Sequence, residues 1–82
     1  MSWVESINIK QHLTEEETPE AVGDACRGIL RELEKLSLRT PPRRITDIFK
    51  AQAVCGDLRK ANKAIEQLYD WADEQRVWLG LL

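Results

Sequence analysis

The chain has 82 residues, 43% of them hydrophobic and 32% charged, a balance that excludes a disordered tail and fits one folded domain spanning 1–82. At this length folding buries only about 60–65% of the surface that the unfolded chain exposes, so the core is expected to be thin. The net charge of -2 hides a basic island: residues 39–63 hold seven Lys or Arg against two acids, while both flanks are acidic.

The opening Met1-Ser2-Trp3-Val4-Glu5 lacks the basic-then-apolar layout of a signal peptide, and no apolar run approaches the ~20 residues of a membrane span. A cytoplasmic location is therefore expected. Ser2 and Glu5 have the spacing of a capping box, and Trp3, Val4 and Ile7 fall at helical steps, which predicts a first helix over about 3–13. Trp3, Glu5, Ile7 and Ile9 also alternate, so a short extended segment is the rival reading.

Glu17-Thr18-Pro19 marks the next start. Thr18 is a natural N-cap, Pro19 fits the first helical position where its missing N–H costs nothing, and Glu20 favours the positive end of the helix dipole. Val22, Ala25, Ile29, Leu33 and Leu36 then recur at three- and four-residue steps, with Cys26 and Leu30 widening the stripe. These predict a core-facing helix over 19–38. Gly23 and Gly28 disfavour a helix interior, which points to close approach of a neighbouring segment. The helix is stopped by Thr40-Pro41-Pro42.

A third helix is expected over 46–79, with Thr46 as N-cap and Gly80 as terminator. Ile48, Cys55, Asn62 and Tyr69 are seven apart, as are Ala51, Leu58, Ile65 and Ala72, which reads as a heptad seam with a bend at Gly56 as an option. Unbroken, this helix would be roughly 50 Å long against about 30 Å for the second. Its surplus apolar face needs a cover: the first helix, a bend at Gly56, or a second chain. The fold class is thus all-α, a three-helix antiparallel bundle, with a homodimer as one way of completing it.

Few residues have the types or spacing of chemistry. The single histidine, His12, has no nucleophile or orienting group placed beside it in sequence. Cys26, Cys55 and His12 are too scattered for a metal-ligand pattern, and no glycine-rich phosphate loop occurs. Both cysteines fall in apolar helical positions and read as buried thiols. Glu15-Glu16-Glu17 point in different directions on any regular backbone and read as a solvated face. No enzyme, cofactor or metal is expected.

Two features carry functional content. Arg39, Arg43, Arg44, Lys50, Arg59, Lys60 and Lys63 form a candidate surface for an anion or an acidic partner, and Arg43 and Arg44 stand at a helix start where the macrodipole repels cations. Their offset is either internal, from Glu15, Glu16 or Glu17, or external. Tyr69, Trp71, Trp78, Leu79, Leu81 and Leu82 make an aromatic and apolar C-terminus, read as core or as an interface. The expected function is a non-enzymatic protein-protein interaction module, an adaptor, regulator or inhibitor. A small DNA-binding regulator using 39–63, with the stretch 57–72 as recognition helix, is the alternative. The acidic balance and a pI near 5.4 weigh against it.

Overall fold

The computed structural model describes residues 8–36 and 39–77, and these are helical with no strand among them. A three-residue 3-10 turn, Lys10–His12, precedes α1 (Pro19–Glu34), α2 (Arg43–Cys55) and α3 (Leu58–Gln75). The bundle expected from the sequence is present, and the long third helix resolves into α2 and α3 at Gly56.

The start of α1 forms as its local chemistry dictates. Thr18 has extended backbone angles and its Oγ1 accepts from the Ala21 N–H at 3.3 Å, with Pro19 in the first turn. Val22, Cys26, Ile29 and Leu33 are buried along one face, close to the predicted stripe. The helix ends four residues earlier than the predicted 38. Lys35 and Leu36 donate to carbonyls three residues back, Glu32 and Leu33, a tightening that closes a helix on its way to Pro41 and Pro42.

The predicted first helix over 3–13 is corrected in its described part: residues 8–13 hold only the 3-10 turn, and the rest lies outside the described residues. Ile9 is nonetheless fully buried, and the His12 ring lies across Gly28, occupying the space that a side chain there would need. The segment docks on α1 through these contacts and through Glu32. That carboxylate lies 3.6 Å from His12 Nε2 and 3.1 Å from Lys35 Nζ. Desolvation alone would raise the Glu32 pKa, but hydrogen bonds from Lys35, His12 and the Asn8 backbone outweigh it and hold the pKa below the ordinary value.

At the start of α2 the predicted cap is corrected. Thr46 lies inside the helix, its hydroxyl donating to the Arg43 carbonyl at 2.9 Å. Pro42 stands at the N-cap without a side-chain bond, and its carbonyl accepts from the Ile45 and Thr46 N–H groups. The helix starts three residues earlier than predicted because Pro42 already holds a φ of -53°.

Gly56 ends α2 in the left-handed region at φ +70° and donates to the Gln52 carbonyl at 2.8 Å. Asp57 then caps α3, its Oδ1 accepting from the Lys60 N–H at 3.2 Å. The two-residue link turns α3 back to pack on α2, while α1 packs chiefly on α2. A β-carbon at Gly56 would lie 2.5 Å from the Pro19 Cα and 2.7 Å from the Pro19 carbonyl oxygen. No other residue fits.

The corner also breaks the heptad seam. Cys55, Asn62 and Ala51 are exposed, because the phase of one helix cannot continue through a left-handed residue. The buried stripes are instead Ile45, Phe49 and Gln52 on α2, and Ala61, Ala64, Leu68 and Ala72 on α3. Cys26 is buried as expected, and burial raises its pKa despite the opposing charge of Arg27. Cys55 is corrected to an exposed thiol. At the far end α3 stops at Gln75 with Arg76 left-handed at φ +59°, short of the predicted Leu79. Gly80 lies outside the described residues.

Replacing Gly56 with alanine is expected to cost on the order of 2–5 kcal/mol, combining the left-handed penalty with overpacking against backbone that cannot rotate aside. Urea unfolding measures it, and a loss under 1 kcal/mol would show that the corner yields. A second prediction concerns Glu32. A carboxylate whose folded pKa is depressed stabilises above its unfolded pKa, near 4.3, and loses that contribution as pH falls through the lower folded value. Glu32→Gln should cost about 1 kcal/mol at neutral pH, with the gap to wild type closing on acidification below about pH 4. A gap independent of pH would remove the charged role of Glu32.

Candidate interaction groove

The corner determines which of the basic residues meet. Arg44 on α2 and Lys60 and Lys63 on α3 stand around a groove of about 590 Å³, whose floor is Ile48, Ala51 and Ala64. Asp47, Gln52 and Gln67 complete the lining, and no α1 residue contributes. The floor is apolar: Ala51 is exposed, Ile48 is half-buried and Ala64 lies fully buried beneath them. The rim carries three cations against one acid.

None of the three cations has an ion-pair partner among the described residues. The sequence left open whether Glu15, Glu16 or Glu17 folds against Arg43 and Arg44, and no such pair forms among the described residues. Arg43 reaches Asp47 at 4.0 Å, across two exposed side chains, a pairing worth little in water. Arg44 makes no ion pair among the described residues and no side chain caps the helix it opens, although it sits in the first turn of α2, where the dipole opposes a cation.

The other predicted basic residues do not join this cluster. Arg39 donates to Gln75 Oε1 at 3.0 Å. Arg59 lines a polar depression with Glu17 and Asp57, and Lys50 is exposed away from both hollows. Of the C-terminal residues, Tyr69 and Trp71 are partly buried against the core, and burial raises the Tyr69 pKa. Trp78, Leu79, Leu81 and Leu82 lie outside the described residues.

Gln52 and Gln67 carry roles that the sequence reading missed. Gln52 is 5% exposed, its side chain accepting from the Asp57 N–H at 3.2 Å behind the groove. Gln67 has its Oε1 buried with no hydrogen-bond donor among the described residues. Neither has a spacing or motif that would have singled it out. Ile48 and Ala51 did stand out as seam positions, whereas Ala64 did not.

A further hollow of about 820 Å³ lies between Lys10, Leu13 and Glu15 on one side and Leu58, Ile65 and Tyr69 on the other. Its charged lining is mixed. Among the described residues no group of three or more His, Cys, Asp or Glu could hold a metal ion, and no helix is long and apolar enough to cross a membrane. The chain matches no protein-family model, no curated protein and no solved structure.

An uncompensated cation at a helix N-terminus should leave a signature in stability. Arg44→Glu is expected to stabilise the folded chain by roughly 0.3–1 kcal/mol at low ionic strength, an effect that salt weakens. A destabilisation on thermal unfolding would mean that Arg44 has an internal partner.

Proposed function

We propose that this chain is a non-enzymatic protein-protein interaction module that works by receiving a partner segment in the groove between α2 and α3. The observation that carries this reading is the pairing of an apolar floor, Ile48, Ala51 and Ala64, with three cations that find no acid in their own chain's described residues. An apolar floor gains from covering, and a charged rim supplies direction and choice of partner. Both are properties of a docking surface. An adaptor, a regulator and an inhibitor all use such a face, and they differ only in what the partner does when held.

Nucleic-acid binding is the weaker reading. Phosphates would meet Arg44, Lys60 and Lys63 but have no use for Ile48, Ala51 and Ala64, and the remaining basic residues point to other surfaces.

Ala51 offers a direct test because it is exposed and lines the groove without supporting the core. Ala51→Glu should retain the helical circular-dichroism spectrum while losing the proteins that the wild-type chain captures from its native cell. An unchanged captured set would refute the groove as the working surface. Retention on duplex DNA that is lost in salt and on reversing Lys60 and Lys63 would replace the protein reading with the nucleic-acid one.

A further inference from the structure

We infer that the occupant of this groove is a short amphipathic helix of a partner protein, about two turns long and carrying carboxylates along the edges of its apolar stripe. The inference rests on the docking reading above and adds the chemistry of the ligand.

Length comes first. The lining runs from Arg44 to Gln52 on α2 and from Lys60 to Gln67 on α3, a track of roughly 12 Å at 1.5 Å per residue. A helix covers that distance in about two turns. The floor is made by two alanines and one isoleucine, and small residues let another helix approach at the usual interaxial spacing of about 8–10 Å. Apolar side chains at i, i+3 or i+4 and i+7 match such a floor.

Charge selects the rest of the ligand. Lys60 and Lys63 are three apart on α3 and so share a face, and Arg44 stands opposite on α2. A carboxylate beside Arg44 would also relieve that residue's conflict with the α2 dipole.

The same charges disfavour a symmetric second copy as occupant. A two-fold interface pairs the patch with its own equal, which sets three cations and one acid against the same excess of positive charge. A carboxylate-bearing helix meets the rim with opposite sign.

The test is a chemical-shift titration of the isotope-labelled full chain with two synthetic helical peptides of about 20 residues, longer than the roughly 12–15 residues below which an isolated helix is marginal in water. One carries leucines at the spacing above, flanked by glutamates; the other has glutamine at those glutamate positions. Shifts with the glutamate peptide should be confined to residues 44–52 and 60–67. Its affinity should exceed that of the glutamine peptide about tenfold at low salt and converge with it in high salt. Lys60→Glu with Lys63→Glu should reverse the preference, and because both side chains are exposed the fold is expected to survive. If it does not, Lys60→Gln with Lys63→Gln should abolish the preference.

Equal binding of the two peptides in the groove would overturn the acidic ligand and leave the docking surface standing. Binding of neither, with capture still lost in Ala51→Glu, would do the same. Capture unaffected by Ala51→Glu would overturn the docking reading itself. Shifts of the same residues on simple dilution would overturn the proposal in favour of a second copy, and shifts there on adding a duplex of about 12 base pairs in favour of nucleic acid.

Discussion

The backbone of Pro19 occupies the space in which a side chain at position 56 would have to stand. The rest of the fold follows from this contact. Pro19 is the first residue of α1, Gly56 is the C-cap of α2 and Asp57 is the N-cap of α3, so three helix ends meet at one corner. The corner is electrostatically consistent, because the negative end of α2 lies against the positive ends of α1 and α3. It is also satisfied in hydrogen bonds: the Gly56 and Asp57 N–H groups both go to Gln52, one to its carbonyl and one to its side chain. A buried glutamine in a thin core is otherwise a liability. Here it closes the account of a turn that has no other partners.

The opposite end of α2 has none of this. Its N-cap is a proline with no side-chain bond, its first turn contains two arginines and no acid, and the nearest ion pair is long and exposed. The electrostatic imbalance therefore sits at the mouth of the groove, and the well-satisfied corner holds that groove's two walls at a fixed separation. On the proposed docking function, a well-bonded turn leaves little ordering to be done when a ligand arrives.

How much of this was legible depends on whether a signal was local. Thr18-Pro19 and the stripe from Val22 to Leu33 are local and were read correctly. Gly56 was read as an optional bend, since a glycine in a heptad pattern does not reveal that another segment's backbone crosses it. The corner has consequences: with α2 and α3 as one helix, Cys55, Asn62 and Ala51 fall on a buried seam, and the surplus length has three covers, the first helix, a bend at Gly56 or a second chain. Once the chain folds back, the helices are about 24, 20 and 27 Å long at 1.5 Å per residue, and that argument for a dimer lapses. Thr46 looked like a cap because threonine often is one, whereas the proline pair before it already set the start. The basic island was visible as a count over 39–63. That Arg44, Lys60 and Lys63 meet while Arg39, Lys50 and Arg59 diverge depends on the corner, which no count contains.

The groove itself is best understood as volume the domain leaves unfilled. A chain this short gains stability from every apolar contact it can close, and a larger side chain at the exposed position 51 would close part of the gap between α2 and α3, whereas Ala64 is already fully buried. Ala51 is exposed beside the half-buried Ile48, and Arg44, Lys60 and Lys63 line the same groove without an ion-pair partner among the described residues. Neither feature stabilises the free chain. A single ligand with an apolar stripe and carboxylate edges reverses both at once, covering the floor and neutralising the rim. The groove is proposed as a docking surface on that coincidence, in one place, of an apolar floor and cations unpaired among the described residues.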